Sequence, residues 1–196
     1  MPRKQKKVVI DDRFKKALDK KSEFNAISKF DKTGKVNKQY DKSMQDYYRI
    51  EDKNGDGKAD SFTPISIFQL SGNYHEYAYG PVFDKSGDMY VTLNVAWVGF
   101  GDGLGKWHGW LLKIKPNGTT EPIATGLRSP AGFNINSSGD VFYAENQGDW
   151  VGSGRVTHLE KGDFAGNAGG LNWTKEPESP LKLTKDDLKV VDNGQP

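Results

Sequence analysis

Apolar and polar positions alternate with a period of two through much of the chain after Tyr47, which is typical of short, half-buried β-strands. Two segments, Gly80–Asn94 and Gly132–Asn146, share one pattern: an apolar run, a Ser-Gly-Asp turn and a second run rich in aromatic and β-branched residues. Their turn glycines, Gly87 and Gly139, lie about 50 residues apart. Each segment predicts a β-hairpin, because glycine supplies the positive φ of a tight turn.

A second kind of hairpin interleaves with this repeat. It is predicted at 47–68 and again at 110–125, where two strand-like runs flank turns rich in Asn and Gly. Hairpins that recur at about 50 residues are typical of β-propeller blades, each of which is a four-stranded sheet. The sequence therefore predicts an all-β chain, a β-propeller fragment of about two to three four-stranded blades with a short N-terminal helical segment.

The predicted domain organisation follows from where the repeat begins and ends. Residues 1–46 share no pattern with the rest and are predicted to be a basic, partly helical N-terminal extension, with an amphipathic helix over 12–30. The blades are predicted over 47–173, and 174–196 has the composition of a C-terminal linker or tail. Propellers close with four to eight blades, so we expect an unfinished ring that can self-associate through open blade edges.

Composition narrows the function classes. The net charge is +2, with the basic excess in 1–46, but acidic residues are interspersed and no aromatic rings interleave with the lysines, which argues against nucleic-acid binding. No apolar run approaches the roughly 20 residues of a membrane span, and the apolar run Val8–Ile10 is too short for a signal peptide. The absence of cysteine excludes disulfides, thiolate zinc sites and a cysteine nucleophile.

The order of the hairpins predicts which loops share a face. In an up-and-down blade the turns within hairpins lie at one end of the sheet, and the loops between hairpins lie at the other. The turns are short, whereas the loops between hairpins are long and carry His, Arg, Glu and Trp residues. Binding and catalytic residues concentrate on such loops, so the candidate site is predicted at that end.

The loop 52–60 resembles the first half of a calcium loop. Oxygen-bearing residues alternate along it and a glycine stands at the sixth position, but Thr63 replaces the glutamate expected at the twelfth. A calcium ion would therefore need further ligands from elsewhere, and the alternative is a plain polar turn. The predicted metal set is Asp52, Asn54, Asp56, Lys58 and Asp60.

Five side chains in the long loops are candidates for chemistry. His75 is either a proton acceptor or a hydrogen-bonded surface residue. Arg128 either closes its loop through an ion pair or presents its fork to an anionic cofactor or substrate. Trp107, His108 and Trp150 are candidates for sugar stacking, a lid or simple packing between blades.

The loop and strand motifs resemble a known family. Gly126-Leu-Arg-Ser-Pro-Ala-Gly-Phe133, Ser138-Gly-Asp-Val-Phe-Tyr-Ala-Glu-Asn-Gln-Gly-Asp-Trp150 and Gly169-Gly-Leu-Asn-Trp173 are similar to the six-bladed propellers of the glucose/sorbosone dehydrogenase type. The resemblance covers about 48–173. It is closest to the dehydrogenase-like propeller domains of large secreted bacterial proteins, which often carry haem- or copper-binding modules.

This resemblance implies a quinoprotein site. It implies that pyrroloquinoline quinone (PQQ) and calcium lie on the propeller face, and that a histidine, matched by His75, takes a proton as hydride leaves a sugar. Arg128 matches the arginine of a Gly-x-Arg-Asn-Pro motif, in which Ser129 here replaces the asparagine. Residues assigned to the cofactor in this way are Arg128, Gln147, Gly148 and Asp149, and those assigned to substrate are Trp107, His108 and Trp150.

The functional expectation has one main form and two alternatives. The main form is a partial PQQ-dependent aldose or sorbosone dehydrogenase-like propeller, periplasmic or extracellular, with a sugar or small polyol as substrate and a haem or copper module as electron-transfer partner. The first alternative is a non-catalytic propeller that binds carbohydrate or protein. The second is an inactive truncated fragment.

Overall fold

The structure is a computed structural model, and it describes residues 33, 35, 44–69, 76–95, 105–146 and 154–188. Over these ranges the chain is built of β-strands in three antiparallel sheets, with almost no helix. The prediction of an all-β chain is confirmed. The propeller architecture remains a prediction, and the helix predicted over 12–30 lies outside the described residues.

The strands group into one hairpin, one four-stranded sheet and one three-stranded sheet. The chain also divides into two compact units, Met1–Ile67 with Pro116–Gly118, and Phe68–Lys115 with Thr119–Pro196. The domain boundaries predicted at 46 and 173 remain predictions. In chain order the strands are β1 (Met44–Glu51), β2 (Ser61–Gln69), β3 (Ala78–Phe83), β4 (Met89–Leu93), β5 (Trp110–Ile114), β6 (Thr120–Thr125), β7 (Pro130–Ile135), β8 (Val141–Glu145) and β9 (Arg155–Leu159), followed by short 3-10 helices at Ala168–Trp173 and Lys185–Asp187.

The four-stranded sheet joins β3 to β6 in sequential antiparallel order. It unites the two hairpins predicted at 80–94 and 110–125, so both are confirmed. Register places Leu93 beside Trp110 on one face, and Thr92 beside Leu111 on the other. All four of these residues have 0% exposure, which shows that the two central strands, β4 and β5, are buried on both faces here.

The three-stranded sheet joins β7, β8 and β9, and its first two strands are the hairpin predicted at 132–146. One face carries Val141, Tyr143 and Leu159, which join Leu111 and Leu127 in a shared hydrophobic cluster with the four-stranded sheet. Burial of these aliphatic and aromatic side chains is the main stabilising term between the two sheets. The opposite face, which carries Phe142 and Val156, is exposed.

The repeat is also visible in the hydrogen bonds of its turns. Asp84 Oδ1 accepts from the amides of Ser86 at 2.8 Å and Asp88 at 3.0 Å. Asn136 Oδ1, at the equivalent place in the second hairpin, accepts from two turn amides at 2.9 Å each. Lys85 Nζ donates to the Ser137 carbonyl at 2.6 Å. The two turns therefore lie side by side at one end, as the hairpin order predicts.

The glycine pair before Trp173 is explained by close packing. Trp110 Nε1 donates to the Gly170 carbonyl at 2.7 Å. A Cβ on Gly170 would lie 2.9 Å from the Gly126 amide nitrogen and 3.0 Å from the Gly109 carbonyl oxygen, and closer still to the Thr125 hydroxyl. Only glycine lets the 3-10 helix Ala168–Trp173 approach the four-stranded sheet so closely.

Candidate functional site

The loops between hairpins meet at the end of the sheets opposite the turns. The Val95 amide, just beyond β4, donates to the Arg128 carbonyl at 3.1 Å. The Asn146 amide, just beyond β8, donates to the Ser129 carbonyl at 2.9 Å. The crossover 126–129 between β6 and β7 is thus held by both neighbouring loops. The predicted gathering of these loops at one end is confirmed for the part of each loop that the structure describes.

A buried carboxylate organises this end. Glu145 is the last residue of β8 and is 4% exposed. Its Oε1 accepts from the Ser129 amide at 2.6 Å, and its Oε2 accepts from the Arg128 amide at 3.2 Å. Buried backbone amides need acceptors, and an ionised carboxylate makes the stronger kind of hydrogen bond. Glu145 therefore clamps the crossover that carries Arg128.

Burial raises the pKa of the Glu145 carboxyl. The two amide hydrogen bonds, and the positive charges of Arg155 and Arg128, oppose that rise without cancelling it. A carboxyl whose pKa lies above its ordinary value is better able to hold a proton as the pH rises. Such groups are enriched at functional sites.

Two tyrosines lie at the start of β3, with Tyr77 just before the strand and Tyr79 within it. Tyr77 is 49% exposed, and its ring meets that of Tyr79 edge to face, with 6.4 Å between ring centroids. The Tyr77 amide donates to Asn94 Oδ1, which ties the strand start to the end of β4. Burial raises the pKa of Tyr79, with further contributions from Tyr77 and Glu145. Tyr79 and Glu145 therefore belong to one electrostatic neighbourhood.

The sequence prediction included Arg128 but missed Tyr77, Tyr79 and Glu145. Arg128 is half-buried, and its charge acts on Glu145. Its amide and carbonyl close the loop, a role that one of the two alternatives from sequence gave to the side chain. Signals for the other three were present, since both tyrosines interrupt a polar loop and Glu145 ends a strand. Their convergence depends on strand order, which local pattern does not reveal.

His108 and Trp107 lie inside the protein. His108 is 1% exposed, with Nδ1 2.6 Å from the Asn94 carbonyl oxygen and Nε2 2.8 Å from the Gln69 carbonyl oxygen. The ring of Trp107 packs edge to face on that of Trp110, at 5.1 Å between centroids. The packing alternative describes this geometry, and the substrate-binding role of both residues remains a prediction.

The loop 52–60 turns its carboxylates onto its own backbone. Asp52 accepts from the amides of Gly55 at 2.6 Å and Gly57 at 3.0 Å, and Asp60 Oδ2 accepts from the Lys53 amide at 2.6 Å. Within the described ranges, no group of three or more His, Cys, Asp or Glu side chains is placed to hold a metal ion. The plain polar turn accounts for these hydrogen bonds, and calcium binding remains a prediction.

The remaining predicted site residues are His75, Gln147, Gly148, Asp149 and Trp150, which lie outside the described residues. Of the set assigned to PQQ, Arg128 alone lies in the described ranges. Its positive charge suits the anionic carboxylates of the quinone, but the buried carboxyl of Glu145 beside it opposes them. The described residues therefore do not by themselves complete a site for the quinone and its calcium.

Comparison of the chain with family models, with curated proteins and with solved structures gave no match. The resemblance to the glucose/sorbosone dehydrogenase type therefore remains a prediction. In the part of the chain that the structure describes, no helix has the length and apolar character needed to cross a membrane, which agrees with the prediction from hydropathy.

Proposed function

We propose that the chain binds sugar-type polyols at the end of its sheets that carries Tyr77, Tyr79, Arg128 and Glu145. The observation that carries this proposal is the half-exposed Tyr77 ring, paired with Tyr79 beside a buried carboxyl. A sugar ring has an apolar face that packs on an aromatic ring and a rim of hydroxyls that need polar partners. Both kinds of surface lie together here.

Charge at this end favours a neutral ligand. Among the described residues, the positive charges of Arg128 and Arg155 are matched by the carboxyls of Glu76 and Glu145, so neither sign is in excess to recognise an acid or an amine. The guanidinium of Arg128 presents five donors in a fixed fork, and the buried Glu145 holds the crossover that carries it. Adjacent hydroxyl oxygens on a polyol match the donors of this fork.

A second candidate is the enzyme form, a PQQ-dependent sugar dehydrogenase-like protein. It is favoured by the way in which Glu145 fixes the crossover bearing Arg128, the arginine that the resemblance assigns to catalysis and cofactor. The quinone, with its calcium, would supply the hydride acceptor. Arg128 would hold an anionic group, and His75 would accept a proton. Periplasmic or extracellular location and a haem or copper module as electron-transfer partner belong to this form of the proposal.

Titration calorimetry with glucose, sorbose and sorbitol tests the binding proposal. We expect measurable binding that Tyr77→Ala abolishes, because that variant removes the exposed ring. Phe142→Ala, which removes a 37% exposed ring from another face, serves as the matched control and should bind normally. Equal losses in both variants, or no binding by the wild type, would contradict the proposal.

Dye reduction by aldoses, measured after addition of PQQ and calcium, separates the two candidates. Reduction that Arg128→Ala abolishes supports the enzyme form. Polyol binding without any dye reduction rejects the enzyme and keeps the binding module. Neither binding nor reduction would reject both candidates and favour a protein-binding module or the inactive fragment.

A further inference from the structure

The outer edges of the two larger sheets differ in whether described residues of the chain cover them. After β9 the chain returns to β6, where the Thr125 amide donates to the Asp163 carbonyl at 2.9 Å and the Ala165 amide donates to the Thr125 carbonyl at 2.7 Å. An isolated parallel bridge joins Thr125 to Phe164. The edge of β6 is thus covered by the chain itself. No described residue pairs with the outer edge of β9.

Strand β9 also lacks the features that usually protect an edge. Proteins block exposed edges with Lys, Pro or bulges, and β9 reads Arg155-Val-Thr-His-Leu159 with neither residue type. Its five residues pair with β8 one to one, without a bulge. The guanidinium of Arg155 donates to the Tyr143 hydroxyl at 3.0 Å and to the Ala165 carbonyl, so it does not guard the edge.

The face beside this edge is apolar and exposed. Val156 is 73% exposed and Phe142 is 37% exposed. Register pairs Phe142 with His158, and their rings lie 5.0 Å apart between centroids. A single exposed apolar residue needs no explanation, but an apolar face continuous with an edge that no described residue pairs is a site for strand addition.

We propose that β9 pairs antiparallel with β9 of a second copy of this chain, across a twofold axis at Thr157. The two three-stranded sheets then become one continuous six-stranded sheet. An interface of this kind uses the same surface on both copies. It requires that the strand be complementary to itself.

The sequence of β9 meets that requirement. With Thr157 opposite its own copy, Val156 lies opposite the partner's His158 and Arg155 lies opposite the partner's Leu159, so no two like charges face each other. Each exposed Val156 is brought beside the aromatic pair of the other copy. The register suits either set of outward amides, because an antiparallel twofold axis can pass through a hydrogen-bonded or a non-hydrogen-bonded pair.

Disulfide trapping tests this register directly, because the chain contains no cysteine and a single introduced thiol can cross-link only to another copy. We expect Thr157→Cys to form a covalent dimer under mild oxidation much faster than Ser138→Cys, an exposed control in the β7–β8 turn. Residues directly opposite in an antiparallel pair have Cβ atoms about 4.5–5.5 Å apart, so a small local shift brings two thiols to the separation of about 3.5–4.5 Å that a disulfide requires. Equal cross-linking rates in the two variants would overturn the proposed register.

Sedimentation equilibrium of the cysteine-free chain tests the dimer itself. We expect a species of twice the 21.8 kDa chain mass, in equilibrium with the monomer as concentration falls. Val156→Lys, which adds a charge to an already exposed position, should raise the dissociation constant by at least about tenfold. A wild-type chain that stays monomeric at all concentrations, or a variant that dimerises equally well, would overturn the proposal.

Discussion

The central strands of the four-stranded sheet β3–β6 are buried on both faces, whereas the three-stranded sheet β7–β9 is buried on one. Leu112 in the first sheet is 0% exposed, whereas Val156 in the second is 73% exposed. The two sheets nevertheless begin with the same hairpin, down to the hydrogen bonds of Asp84 and Asn136. The hairpin motif therefore determines local structure only. What covers each sheet determines how much that structure contributes to stability, and what is left to bind a partner.

The largest expected contrast is in the free energy of unfolding that is lost when a side chain on each of the two sheets is truncated. Leu112→Ala should lower the free energy of unfolding by about 2–5 kcal/mol, because it leaves a cavity in a closed core. Phe142→Ala removes a larger side chain but should cost less than about 1 kcal/mol, because that ring lies on the open face. Urea denaturation of both variants at low protein concentration measures the contrast. Similar losses would mean that the two sheets are equally covered.

A smaller contrast in stability is expected when each of two glycines is replaced by alanine. Gly170→Ala should lower the free energy of unfolding by about 1–3 kcal/mol. Its Cβ would collide with the Thr125 side chain and with backbone atoms of Gly126 and Gly109, next to the four-stranded sheet. Gly132→Ala in β7 should be close to neutral, because nothing lies within 4 Å of the added Cβ. Thermal unfolding of the two variants provides the comparison. A neutral Gly170→Ala would refute the close approach of the 3-10 helix.

The smallest expected contrast is the difference in pH dependence between one carboxyl in each sheet. In β6, the hydrogen bond from Lys161, and the nearby charges of Lys113 and Lys115, lower the pKa of Glu121. In β8, burial raises the pKa of Glu145. The stabilising contribution of Glu121 is therefore present above the ordinary glutamate pKa and is lost as the pH falls. That of Glu145 is present below the ordinary value and is lost as the pH rises.

Unfolding free energies measured between pH 3 and pH 8, roughly, for wild type and variants separate the two carboxyls. Relative to wild type, Glu121→Gln should lose most at neutral pH and least in acid. Glu145→Gln should show the reverse trend in its pH-dependent part, together with a pH-independent loss of about 1–3 kcal/mol from the amide that it leaves without an acceptor. Parallel pH profiles for the two variants would contradict the assigned environments.

Much of the fold follows from sequence because its turns are local. The Ser-Gly-Asp turns and the alternating runs predict the hairpins that become β3–β4 and β7–β8, and the order of hairpins predicts which loops meet. The fourth strand of a second blade is not found within the described residues. After β9 the chain turns towards Thr125 instead, where it forms backbone hydrogen bonds. No sequence pattern in 160–166 predicts these hydrogen bonds.

The residues of the candidate site are harder to predict from sequence than the hairpins, because their roles depend on tertiary contacts. Arg128 stands out as a lone arginine on a short crossover, but the role of Glu145 depends on which backbone amides lack acceptors after folding. His108 suggests solvent-exposed chemistry from its glycine-rich surroundings, yet tertiary packing places it between two carbonyl oxygens. Burial and partner choice arise from the whole chain, so single-residue signals cannot supply them.

Hydrogen–deuterium exchange at low and high protein concentration tests most directly the contrast between a covered and an open sheet. Amide protection reports local opening and pairing, and it can be followed separately for 110–114 in β5 and 155–159 in β9. We predict that β5 is strongly protected at both concentrations, and that β9 is weakly protected when dilute and gains protection as copies associate. Protection of β9 that equals that of β5 and does not change with concentration would contradict the account.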